Sequence, residues 1–372
     1  VGKLTVQKQT LFLVSSLLLA GVTTTVPSAA NASEPLVLSN RQTNLQLNNL
    51  LSEGLKRVNA GDLAGALSIY QQAAGIDRKN PRIYSAIGYL QALQGKFKEA
   101  TIAYKQAIAL APNNADFHYA LGYSLANAGD NPGAAAAYRR TVELNPKNSK
   151  AYLGLGVVLG RQGDDKGAMA AYEKAIALDP KNAETYETIG SNHLQQGRAQ
   201  QAILSFQQAA ALAPRSSRVQ LKLGNAWLRQ GNTGAALAVL QRAAQLEPRN
   251  PQIQLQMGKV MQAQKNFDGA LEAYQRAISL QPNLAEAQAS IGETFMAKQD
   301  YLQAIVAYRT LIEIAPQNAQ AHYNLAMALR QRDRLSSAIA ALEKARDLYR
   351  SQGQTEGEQK AEAALQELKK SS

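Results

Sequence analysis

Residues 149–182 read SKAYLGLGVVLGRQGDDKGAMAAYEKAIALDPKN, and the same pattern returns on both sides at a spacing of 34 residues. Pro180, near the end of this stretch, is one of seven prolines that keep the spacing without a slip: Pro112, Pro146, Pro180, Pro214, Pro248, Pro282 and Pro316. A proline inside a helix costs about 3 kcal/mol, because it removes a backbone donor and its ring clashes with the preceding turn. Each of these prolines therefore marks a place where a helix has ended. A strict period of this length means one supersecondary unit copied end to end.

With the proline at position 32, the first unit begins at Leu47 and the ninth ends at Gln352. Position 20 is alanine in all nine units, from Ala66 to Ala338. Position 24 is Tyr70, Tyr104, Tyr138, Tyr172, Phe206, Leu240, Tyr274, Tyr308 and Leu342, and position 27 is alanine except at Thr141 and Leu311. Small residues at 20 and 27 around a large one at 24 form an apolar stripe at helical spacing. Position 8 is glycine from Gly54 to Gly292, with Ala326 in the last unit. A helical glycine costs about 1 kcal/mol relative to alanine, so its recurrence predicts a second backbone packed close at that point. Glycine at position 15 in six units (Gly61, Gly95, Gly129, Gly163, Gly197, Gly231) predicts a turn between two antiparallel helices, with Lys265, Gln299 and Asp333 standing there in the last three. Asn or Ser fills position 34 at most junctions and suits a helix N-cap. Leu284 breaks that series and predicts a poorly capped eighth unit.

This pattern resembles the tetratricopeptide repeat, a helix pair with glycine at 8, alanine at 20, an aromatic at 24, alanine at 27 and proline at 32; the match spans residues 47–350. The departures lie at the ends, where Arg78 and Arg350 replace the proline. The resemblance implies an all-α fold: a right-handed superhelical solenoid of nine helix-turn-helix repeats. Residues 353–372 carry Ala361, Ala364, Leu365 and Leu368 on one face of an amphipathic helix, which predicts a cap for the exposed side of the last unit.

Residues 1–32 stand outside the array. Lys3 and Lys8 precede an apolar run from Leu11 to Val22, followed by Ala30-Asn31-Ala32. The run is shorter than a membrane span, and the layout is that of a secretory signal peptide cut after Ala32. The expected location is a bacterial periplasm, the initial valine suggesting an alternative bacterial start codon; the alternative is an uncleaved anchor, the one route to a membrane. Residues 33–46 read as a loose lead-in. The chain has no cysteine, so neither a disulfide framework nor a lipid-modified cysteine is expected.

The formal net charge is +12, of which Lys3 and Lys8 supply two. The sixth unit is the most basic (Arg218, Lys222, Arg229, Arg242 and Arg249 against Glu247), while the eighth is net acidic. No nucleic-acid motif accompanies the charge; it fits an acidic protein partner or an ordinary solvated surface. No enzyme site is evident. His118, His193 and His322 fall at positions 4, 11 and 4 and Trp227 at 11, where the repeat wants packing bulk. The glycines of Gly154-Leu155-Gly156-Val157-Val158-Leu159-Gly160 lack the preceding strand that a dinucleotide loop requires. No cofactor or metal is expected.

The resemblance implies that first helices line a concave groove through positions 2, 5, 9, 12 and 13. The candidate partner-binding residues are Tyr89, Tyr119, Tyr123 and Leu153 in an apolar-aromatic early part, and Arg161, Asn225, Arg229 and Lys259 in a basic-polar later part. Leu93, Val157, Gln195 and Arg330 continue the same positions. Two readings stand side by side: a wall that meets a protein or peptide, or packing between neighbouring helices. The family's carboxylate clamp needs lysine at position 5, and no unit has one there. The expected function is a non-catalytic protein-binding scaffold acting after export. The alternative is a membrane-tethered or self-associating spacer that uses the ends of the solenoid.

Overall fold

The computed structural model describes residues 34–371 as nineteen α-helices, with no strand among the described residues. The expected signal segment lies outside the described residues. The first helices of the nine units are α1 (Glu34–Asn59), α3 (Pro81–Leu93), α5 (Ala115–Ala128), α7 (Ser149–Arg161), α9 (Ala183–Gln195), α11 (Ser217–Arg229), α13 (Pro251–Ala263), α15 (Ala285–Ala297) and α17 (Ala319–Arg330). The second helices are α2 (Leu63–Ile76), α4 (Phe97–Leu110), α6 (Asn131–Leu144), α8 (Asp165–Leu178), α10 (Ala199–Leu212), α12 (Thr233–Leu246), α14 (Phe267–Leu280), α16 (Tyr301–Ile314) and α18 (Leu335–Ser351). A last helix, α19 (Thr355–Ser371), packs on α18. Residues 34–46, read from sequence as a loose lead-in, are instead helical and continuous with the first unit, so that α1 has 26 residues where α3 has 13.

Backbone contacts divide the chain into two compact units, with the division between Thr185 and Tyr186. Within the first, α1 to α8 pack each on the next. Ala66, Tyr70, Ile83 and Leu90 form one of its dry clusters. Within the second, the same order runs from α10 to α19, and its largest cluster joins α16, α17 and α18 to Ala361, Ala364, Leu365 and Leu368 of α19.

The position-8 glycines face the large side chain at position 24 of their own unit, and at Gly156 the Ala168 carbonyl oxygen also comes within 3.1 Å of where a Cβ would sit. A Cβ placed on Gly122 would lie 2.9 Å from the Tyr138 ring, on Gly190 2.8 Å from Phe206, and on Gly224 2.6 Å from Leu240. The ring lies flat on its partner helix, and Ala134 and Thr141 beside Tyr138 are wholly buried. Thr141 is tolerated because its hydroxyl donates to Ala137 O at 2.9 Å.

Turn chemistry follows the same rule. All six glycines at position 15 have positive φ, and so do Lys265, Gln299 and Asp333 (60°, 61° and 53°). The turn geometry is thus held even where a side chain makes it costly. Asn114 Oδ1 caps α5 by accepting from Asp116 N and Phe117 N, and Asn80, Asn148, Asn182, Ser216, Asn250 and Asn318 cap their helices likewise. Leu284 makes no side-chain cap but is 8% exposed, trading the cap for a place in the core. Without a proline at Arg350, α18 runs to Ser351, and Arg350 Nε reaches Glu358 of α19 at 2.6 Å. At Arg78 the helix stops at Ile76 all the same, with the Asp77 carboxylate accepting from Lys79 N at 3.1 Å.

Candidate functional site

In the first compact unit, α3 touches α5 and α5 touches α7, so first helices share one face. The candidate aromatic residues on it do not behave alike. Tyr89 is only 5% exposed and its buried hydroxyl has no hydrogen-bond partner. Burial pushes that phenol's pKa up. Tyr89 is therefore packing, not an exposed ring, because neighbouring helices close over it. Tyr119 and Tyr123 are half-buried. The Tyr119 ring tilts against Tyr138 at 5.8 Å, and Tyr123 meets Phe97 edge-on at 6.2 Å. The Tyr119 phenol is pushed up to about 12, by burial first and then by Tyr123 and Glu184. Leu153 and Val157 on α7 are also half-buried, which leaves a strip of ring edges and aliphatic surface along α5 and α7.

The basic candidates are mostly engaged within the array. Arg161 donates to Ala126 O at 3.4 Å and Arg229 to Leu194 O at 3.3 Å. Both arginines remain exposed, and both sit at the C-terminal end of the previous first helix, where a cation meets the negative end of the dipole. Lys259 is ion-paired with Glu286. Arg330 is taken up by Glu367 of α19, at 2.6 and 3.3 Å. Asn225 is half-buried, and its Oδ1 has no partner.

Sequence reading missed a buried carboxylate. Glu187 on α9 is 3% exposed and accepts ion pairs from Arg218 Nη2 at 2.8 Å and Lys222 Nζ at 2.7 Å, both on α11. Lys222 Nζ also donates to Ser191 Oγ at 2.9 Å. Its signal in the sequence is an acid at position 5 followed, 31 and 35 residues later, by bases at 2 and 6 of the next unit. The position-4 histidines are also more specific than packing bulk. His118 Nε2 contacts Pro112 O at 2.8 Å, His322 Nε2 contacts Pro316 O at 3.2 Å, and Tyr84 OH donates to Arg78 O at 3.2 Å. Position 4 thus ties each of these helices to the position-32 carbonyl before it. His193 is 6% exposed, as its packing role requires, and Trp227 is partly buried between two apolar clusters.

At the C-terminal end, an open cleft of about 680 Å³ lies between Tyr323 on α17, Tyr349 on α18 and Lys360 on α19. Its lysine is neutralised by Glu356 at 2.7 Å. Among the described residues, no His, Asp or Glu cluster could hold a metal ion, and no helix is long and apolar enough to cross a membrane.

Known families and structures bear on this geometry. The model of the cilia and flagella-associated protein 70 C-terminal domain matches residues 41–290, a TPR repeat model residues 292–331, and a tetratricopeptide repeat model residues 319–356. No curated protein sequence matches the chain. A tetratricopeptide repeat protein from Parabacteroides merdae is similar in structure, 18% identical with a TM-score of 0.54, covering 68% of this chain and 99% of that one. The C-terminal part of a TPR repeat-containing protein from Cytophaga hutchinsonii is also similar, 18% identical with a TM-score of 0.50, covering 64% of this chain and 98% of that one. These likenesses concern the fold: an all-α repeat solenoid.

Proposed function

Because this chain belongs to the tetratricopeptide-repeat family, whose members bind protein or peptide partners, we propose that it is a non-catalytic scaffold that captures such a partner on its first-helix face. It acts after export, with the segment before Ser33 removed. The observation that carries the binding reading is the contrast between the two helix sets. The apolar residues at positions 20, 24 and 27 of the second helices are sealed, whereas Tyr119, Tyr123, Leu153 and Val157 keep part of their surface open on consecutive first helices. Half-open tyrosines supply large, stiff contact area with a polar tip, the residue type that dominates interface energetics.

The test is site-specific photocrosslinking. A benzophenone side chain at Tyr123 should trap a partner from a periplasmic extract. The same group at Ile102, 62% exposed on the second helix α4, should not. Equal trapping at the two positions, or none at Tyr123, counts against the face. Sequencing the N-terminus of the secreted chain tests the export step: a start at Ser33 is expected, and a retained apolar segment overturns it.

A further inference from the structure

We propose that the stripe Arg218, Lys222, Asn225 and Arg229 on α11 is a subsite for a carboxylate-rich polypeptide segment, a reading that rests on the first-helix face being the binding wall. The four residues follow i, i+4, i+7, i+11, which places them on one face of the helix over roughly 16 Å at 1.5 Å per residue. Val219, Leu223 and Ala226 are buried on the other face, so the helix cannot turn the stripe away.

Charge on this surface is one-sided. Glu187 is the only carboxylate on α11, on α13 or on α9 from Tyr186 onward, and it is 3% exposed, facing Arg218 and Lys222. Like charges one turn apart repel; the buried carboxylate holds these two in register and leaves them 45% and 36% exposed. None of the three cations spends all its donors. Arg218 gives one contact to Glu187, Lys222 gives one each to Glu187 and Ser191, and Arg229 gives one to Leu194 O, against five donors on each arginine and three on a lysine. Three cations against one interior carboxylate leave an outward excess of positive charge. Midway along the stripe, the Asn225 Oδ1 has no partner in the chain.

The flanking side chains select a polypeptide. Gln195 on α9, and Gln252 and Gln256 on α13, bring amides, which pair with peptide groups. Single-stranded nucleic acid calls for rings on which bases stack, and Trp227, the aromatic residue of α11, is packed between two apolar clusters. An extended segment of about five residues spans the stripe at 3.3 Å each, with alternate side chains toward the cations.

The experiment is fluorescence anisotropy of the purified full chain with a labelled peptide of about twelve residues alternating Glu and Gly, at low and at physiological salt. Binding that weakens with salt is expected. Arg229→Gln, which leaves the Glu187 contacts intact, should weaken it about five-fold, and Arg229→Gln combined with Arg218→Gln, which leaves Lys222 paired with Glu187, about ten-fold or more. Arg242→Gln, an equal loss of charge on the exposed part of α12, should leave it unchanged. No binding, equal binding of a Gln-Gly peptide, or equal loss in Arg242→Gln overturns the subsite. Tighter binding of an oligothymidine of equal charge, with the same variant sensitivity, overturns the polypeptide assignment. Crosslinking at Tyr123 reads out independently: if it persists while the acidic peptide fails, the subsite is wrong and the scaffold reading stands; if it is lost while the peptide binds α11, the scaffold's aromatic strip is wrong.

Discussion

Three tyrosines with similar burial differ in one atom's company. Tyr274 is wholly buried and donates its hydroxyl to Gln262 Oε1 at 2.6 Å, whereas the buried hydroxyls of Tyr70 and Tyr89 have no partner. Leaving a polar group unpaired in the interior costs about 1–3 kcal/mol, and a made hydrogen bond contributes about 1 kcal/mol. Tyr89→Phe should therefore raise stability by about 1 kcal/mol and Tyr274→Phe lower it by about the same, read as opposite shifts of the urea midpoint. Glycines divide by the same logic. Gly75 near the end of α2 has open space around it, while a Cβ on Gly122 would meet Tyr138 at 2.9 Å. Gly75→Ala should stabilise by about 0.5–1 kcal/mol through helix propensity. Gly122→Ala should destabilise by about 1–2 kcal/mol, since overpacking outweighs that gain. The glycine pattern was legible in the sequence; that the glycine faces the side chain at position 24 of its own unit came from the structure. The unpaired hydroxyls were not legible, because a phenol's partner comes from whichever helix lies across from it.

At the scale of the helix, the boundaries were written locally. Asn114 accepts from two free amides of α5, and Asn114→Ala should cost about 1 kcal/mol. Leu284→Asn restores the cap consensus yet removes a buried leucine packed beside Tyr274 and Leu255. The lost burial, about 2 kcal/mol or more, exceeds the cap. This variant should melt below the parent, although the consensus argues for it. Lys265, Gln299 and Asp333 occupy left-handed turns between paired helices; replacing each by glycine should stabilise its unit by up to about 1 kcal/mol. The helical start of α1 escaped the sequence reading because Glu34 to Gln46 has no counterpart in the repeat from which its structure could be inferred by phase.

Across the molecule, burial of tyrosine recurs unit after unit, and it sets a collective alkaline limit. The phenols of Tyr70, Tyr89, Tyr104, Tyr119, Tyr138, Tyr274 and Tyr308 are all pushed above their ordinary value of 10, chiefly by burial. In the unfolded chain they ionise near pH 10, while the folded chain keeps those protons. The folded state then binds more protons, so stability falls as pH rises above about 10. Tyrosinate absorbance should appear together with loss of helical circular dichroism, steeply and above pH 10. Gradual ionisation with helicity intact would contradict the burial.

The sequence by itself determined the repeat, its phase, the helix ends and the residue types at 8, 20, 24 and 27. These follow from interactions within one unit, which every copy repeats, so the pattern is visible as a period. Only the tertiary structure decided which side chains on the shared first-helix face are closed over and which stay open. Tyr89 and Tyr123 occupy the same position 9 in successive units and end with different exposure. Glu187 likewise becomes the interior anchor of Arg218 and Lys222 only when α9 and α11 lie side by side. Exposure and ion pairing across units depend on distances between residues more than thirty positions apart, which packing sets and a period does not encode.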